Sequence, residues 1–153
     1  MRIETPYRAE HTYVQKYPEF PPEAVFPMLC PVREAEWVAG WDPVVVYTHS
    51  GVAEPGCTFI TSQDGRDAVW YIVRHDPEHH AVEMVKITPQ VTACRLRIDV
   101  RADGKGGCEA EVTYSHTALG QEGRSLVDQF TAEAYREQME HWEQSLTACL
   151  SGK

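Results

Sequence analysis

The sequence predicts an α+β domain: seven antiparallel strands, two short helices after the first of them, and one long C-terminal helix. Three observations carry this. Stretches between Arg8 and Ala118 alternate apolar and polar residues with period two. Turn signals separate them at hairpin length, the strongest being Asp103-Gly104-Lys105-Gly106-Gly107. The segment Ser125 to Leu150 instead repeats apolar residues every three or four positions and holds no Pro or Gly.

The elements follow in order. Arg8 to Tyr17 is a half-buried strand: Ala9, His11, Tyr13 and Tyr17 point one way, and Arg8, Glu10, Thr12 and Lys16 the other. Pro18 and Pro21-Pro22 stop it. Pro21-Pro22 then opens a short helix with Val25, Phe26 and Leu29 inward, which Pro31 must break. Val32 to Trp37 suits a second short helix, and Gly40 and Pro43 turn the chain out of it. The later strands are Val44–His49, Cys57–Gln63, Ala68–His75, Val82–Thr88, Val91–Arg101 and Cys108–Ala118. The closing helix carries its stripe on Val127, Phe130, Ala134, Met139, Trp142, Leu146 and Cys149. A meandering antiparallel sheet has one face that needs cover, and only this helix is long enough to give it.

Composition narrows the function. The chain has 153 residues, the usual size of one domain. Its net charge of −9, with no basic cluster, disfavours nucleic acid and anionic membranes. No segment approaches the roughly 20 apolar residues of a membrane span, and the first residues show no signal-peptide core. The five cysteines form no CxxC pair, so a reduced cytoplasmic protein with buried thiols is expected. The sequence leaves homodimerisation open.

The residues also carry a resemblance. Ala24 to Trp41, with Pro31-Val32-Arg33-Glu34, Trp37 and Gly40-Trp41, resembles the entry segment of an uncharacterised bacterial branch of the START-like, pollen-allergen-like (SRPBCC) superfamily. Tyr47 to Glu54 followed by Gly56 to Phe59 is similar to its second hairpin, and Tyr114 to Leu119 to the end of its last strand. The resemblance covers essentially the whole chain. It implies the helix-grip fold, in which a curved seven-stranded sheet wraps round the C-terminal helix. It also implies that a cavity lies between them, that the short helices cap one end, and that the first and last strands pair near the sheet centre. The superfamily holds lipid carriers, hormone binders, polyketide cyclases and co-chaperone modules, so it does not name a function.

On that fold Trp37 and Trp41 stand at the cavity rim. With Tyr47, Trp70, Tyr114 and Trp142 they are the expected aromatic wall. Pairing His11 with His116 and Tyr13 with Tyr114 across the first and last strands would gather polar anchors on the same face. The plainer reading is that these groups satisfy one another inside the core. The expected ligand is therefore a small hydrophobic molecule, lipid-like or aromatic, bound without a cofactor. The alternative is a cyclase or dehydratase with His116 or His11 as base and a tyrosine hydroxyl for the oxyanion. A third reading, a co-chaperone-like interaction module, needs an apolar outer sheet face, whereas the last two strands place charges there. His75 to His80 is histidine-rich but falls in a turn, and a metal site is not expected. Glu34, Glu36, Asp42 and Glu54 read as surface charges, and Arg74, Glu83 and Lys86 as pairs on the wet face.

Overall fold

A computed structural model describes residues 1–153. Strand β1 (Arg8–Tyr17) is followed by a single helical turn, α1 (Pro22–Val25), and by two 3-10 turns, Phe26–Leu29 and Arg33–Glu36. Then come β2 (Val44–Tyr47), β3 (Thr58–Gln63), β4 (Arg66–Asp76), β5 (Ala81–Thr88), β6 (Thr92–Ala102) and β7 (Cys108–Ala118). Two helices, α2 (Gln121–Gln129) and α3 (Ala132–Leu150), end the chain. The seven strands make one antiparallel sheet in the order β1-β7-β6-β5-β4-β3-β2. No helix is long and apolar enough to cross a membrane.

β1 and β7 do pair, but at the sheet edge rather than near its centre. β6 already occupies one side of β7 through the Asp103–Gly107 hairpin, so β1 takes the other. α3 covers part of the exposed edge that results: the Glu143 carboxylate accepts from the Lys16 amide at 2.7 Å. The pairing register also differs from expectation. His11 lies opposite Tyr114, Ala9 opposite His116, and Tyr13 opposite Val112. The displacement is two residues, so every side chain keeps its face. Alternation dictates the face alone, and no hairpin joins these two strands to set the register.

The long C-terminal helix is two helices. Phe130 leaves helical geometry (φ −80°, ψ 66°), and the Thr131 hydroxyl then caps α3 by accepting from the Ala134 amide at 3.1 Å. The break resets the apolar stripe: Ala134 is exposed, and Tyr135 enters the core with Met139 and Leu146. α2 begins at Gln121, four residues before the expected start. Gly123 is the point where α2 presses on the β5–β6 turn; a Cβ there would lie 1.8 Å from the Val91 carbonyl oxygen.

The core lies between the concave sheet face, α3 and the cap formed by α1 and the 3-10 turns. Gln15 is fully buried in it, donating to the Met139 carbonyl at 3.1 Å and accepting from the Tyr17 hydroxyl at 3.0 Å. All five cysteines are free and four are buried. The convex face is divided. β6 and β7 carry charges there, as expected, but Val69, Tyr71 and Val73 of β4 and Ile87 of β5 are 40–48% exposed beside the apolar edge strand β2. Lys86 does not join the wet face. It sits in phase with buried Val82 and Met84, between Trp70 and Cys94 on the concave side. Val85 and Ile87 make the other face of β5 apolar too, which hides that phase in the sequence.

Candidate functional site

Strand registers assemble the site from single residues of six strands. One row crosses the concave face as Phe59, Trp70, Lys86, Cys94, His116 and Ala9, on β3, β4, β5, β6, β7 and β1 in turn. The next row runs Ile72, Met84, Leu96, Tyr114 and His11. The first row carries most of the polar groups and the second most of the aliphatic ones.

The two tryptophans of the cap close this space from different sides. Gly40, at φ +75°, turns the chain between them. Trp37 meets Trp142 of α3 edge to face at 5.5 Å, whereas Trp41 meets Phe59 and Trp70 of the sheet at 6.2 and 6.0 Å. Their indole N–H groups donate to the Met28 and Pro31 carbonyls at 2.8 and 2.7 Å. Each therefore pins the cap segment with its polar edge and lends its ring to the interior.

The helix break closes the opposite end. The Phe130 ring lies 4.5 Å from His116 and 4.9 Å from His11, and Tyr135 lies 5.9 Å from Tyr114. His11 Nε2 donates to the Phe130 carbonyl at 2.8 Å, so this imidazole is spent on holding the break. The Tyr135 hydroxyl donates to the Val112 carbonyl at 2.6 Å.

Of the expected residues, His11, Trp37, Trp41, Trp70, Tyr114, His116 and Trp142 come together. Tyr13 lies farther along β1, near Glu140 and Glu143 of α3. Tyr47 stands apart. A bulge between Val45 and Tyr47 turns it towards Thr58 on the convex side, where it is 57% exposed. Glu34 and Lys86 belong to the site although neither was expected there. For Lys86 the one signal in the sequence is its period-two spacing from Val82 and Met84. Glu34 left no signal, since a charged residue in a short turn normally faces water.

Burial sets the electrostatics. It holds Glu34, 5% exposed, up to about 8, so its carboxyl is protonated at neutral pH. It pushes the Cys94 thiol up to about 11 and, with the Lys86 charge adding to it, lowers His116 to about 4. His116 Nε2 lies 4.0 Å from Cys94 Sγ, but both groups are neutral, so this is no thiolate–imidazolium pair. Burial also lowers Lys86 and raises Tyr114, for which the nearby Cys94 and Glu34 add further raising.

Two polar tips are left without partners. Neither the Glu34 carboxyl nor the Tyr114 hydroxyl, on residues 5% and 8% exposed, makes a hydrogen bond. Yet no side-chain nitrogen or oxygen of the protein is both sealed from solvent and unpartnered. Both tips therefore border space that a water molecule reaches. A cavity of about 190 Å³ opens at the rim, lined by Trp37, Val38, Ala39, His141, Trp142 and Ser145. A larger one of about 370 Å³ lies elsewhere, between Glu4–Tyr7 and the β7–α2 junction, and holds none of the expected residues. The histidine-rich turn is structural: His75 and His80 pack on Phe26 at 5.5 and 5.6 Å, and His79 bonds Asp76.

A histidine buried neutral makes stability depend on acid. His116 takes its proton near 6.5 when unfolded and near 4 when folded, so its contribution is full above pH 6.5 and is lost as pH falls towards 4. The loss is about 2–3 kcal/mol. Unfolding free energies of His116→Phe and the parent, compared between pH 7 and pH 4, should differ by this amount in favour of the variant at pH 4. Parallel curves would show that His116 ionises freely.

No family model and no curated protein matches the chain. Solved structures match along almost its whole length. A protein of unknown function from Staphylococcus aureus, SA2116, gives a TM-score of 0.70 at 12% identity over 96% of each chain. Ara h 8.0201 gives 0.65 at 12% identity over 95% of this chain and 99% of that one. Norcoclaurine synthase from Thalictrum flavum, in complex with dopamine and hydroxybenzaldehyde, gives 0.59 at 11% identity over 92% and 86%. The chain thus has the helix-grip fold shared by these structures. At such identity the match shows the fold alone.

Proposed function

We propose that this helix-grip chain binds a small, mainly apolar molecule between the concave sheet face and α3. The observation that carries the reading is the pair of tips without a protein partner, Glu34 and Tyr114, on buried residues and bordering reachable space. Water that reaches these tips can be displaced by a bound hydroxyl, carbonyl or amide that takes over its hydrogen bond. Trp37, Trp142 and Tyr135 supply the apolar contacts. The rim cavity of about 190 Å³ is smaller than the roughly 300–1,000 Å³ of usual ligand sites. A guest with more than one ring must therefore displace the Trp37–Trp142 contact as it enters. The dopamine and hydroxybenzaldehyde held by norcoclaurine synthase support small aromatic guests in this fold.

Catalysis by histidine has less support. His11 is tied to the Phe130 carbonyl, and no carboxylate orients His116, whose lowered pKa makes it a weak base.

Titration with 2-naphthamide, read by tryptophan emission, tests the proposal. Saturable binding of one molecule per chain is expected, and Tyr114→Phe should weaken it about three- to tenfold, the loss of one hydrogen bond. Absence of saturation, or unchanged affinity in Tyr114→Phe, would remove the basis for the reading. Native mass spectrometry of freshly purified protein would show whether a natural guest accompanies it.

A further inference from the structure

We infer that the natural guest is an acid, an apolar body bearing a carboxylate or similar anion, and that Lys86 receives the charge. This rests on the binding proposal above and adds the ligand's chemical class.

Lys86 lies on the concave face between Trp70 and Cys94, with His116 next in the row. Its ammonium sits over the Trp70 ring, 5.0 Å from the centroid. It makes no ion pair and no hydrogen bond. The other cation at this end of the face, Arg66 at the start of β4, is engaged by Glu122 of α2 at 2.6 Å. Elsewhere on the strands Arg95 pairs with Glu83 and Arg74 with Asp76, and the cations without an acidic partner, Lys16, Arg97 and Arg101, are exposed to water. Lys86 thus stands out: half-buried, with three donors and no acceptor.

The surroundings give it no neutralising partner. Cys94 and His116 are uncharged at neutral pH, and Trp70 offers only the face of its ring. An ammonium held this way loses part of its hydration, and the ring returns only some of that. An anion from a guest would return more, because a charge-assisted hydrogen bond in a poorly hydrated site is among the stronger polar contacts. The protein as a whole bears −9 and repels anions. A lone inward cation in such a chain therefore selects by local contact rather than by long-range attraction. Glu34, protonated at neutral pH, presents no opposing charge from the cap and still offers a hydrogen bond to the guest's other polar atoms.

The test uses two probes with one ring system and different charge, 2-naphthoate and 2-naphthamide, at pH 7. The parent protein should bind naphthoate at least about tenfold more tightly than the amide. Lys86→Gln should bring naphthoate down to the level of the amide and leave amide affinity within about twofold. Lys86→Arg should keep the preference, and it decides the matter where Lys86→Gln no longer binds the amide. Equal affinities in the parent, or a preference that survives Lys86→Gln, would overturn the acid assignment while the binding reading stands. Saturable binding of neither probe would overturn both.

Discussion

Glu34→Gln is expected to raise the unfolding free energy by about 2–4 kcal/mol at pH 8 and to change it little at pH 4.5. The folded-state pKa of Glu34 is raised from 4.5 to about 8 by burial alone. The unfolded chain releases this proton near 4.5, whereas the folded protein holds it to about 8. Between those values each rise in pH favours the unfolded state, and above about 8 the penalty is complete. Glutamine keeps the shape and the hydrogen-bonding reach but cannot ionise. Urea unfolding of both proteins at pH 4.5, 6 and 8 measures the difference. A constant offset across that range would mean that Glu34 ionises normally and is hydrated. A gain at pH 8 would mark Glu34 as a residue kept at a cost to stability, as groups serving a ligand often are.

Gly123→Ala should cost about 3 kcal/mol, with the opposite sign to the same change in an open helix, where it gains roughly 1 kcal/mol. The new methyl would stand 1.8 Å from the Val91 carbonyl oxygen, 2.9 Å from its carbon and 3.1 Å from Ala118 Cα. That carbonyl already accepts from the Leu119 amide at 2.8 Å, so it is not free to swing away. Relief requires α2 to lift from the β5–β6 turn, and Phe130 with its His11 bond would be strained along with it. The urea midpoint should fall with an unchanged slope. A variant as stable as the parent would show that α2 does not press on Val91.

Much of the fold was legible because alternation and turn chemistry are local. Arg8–Tyr17 and Cys108–Ala118 coincide with β1 and β7, and Asp103–Gly107 is the turn between β6 and β7. The helix break at Phe130 was not legible. Helical spacing continues through it, and only the Thr131 cap and the contact with His11 select the bent path. The site was legible in part. The resembled fold led to the expectation of Trp37 and Trp41 at the cavity rim; Trp37 lines the rim cavity beside Trp142, whereas Trp41 packs on Phe59 and Trp70 of the sheet. His11 and His116 were placed on the right face but not at the right height, since period-two patterns do not distinguish shifts of two residues. Tyr47 escaped the concave face through a bulge, which no residue of VVVY signals.

The sequence by itself determined which residues belong to strands, which face of each strand is apolar, and that a long amphipathic helix closes the chain. Those properties depend on neighbours a few positions away, and side-chain type is enough to specify them. Only the tertiary structure decided that Lys86 faces inward without a counter-ion, that Glu34 is buried and protonated, and that His11 is consumed by a backbone carbonyl. Charge state and hydrogen-bond occupancy depend on what the rest of the chain brings within a few ångströms, and that is settled when sheet, cap and α3 come together.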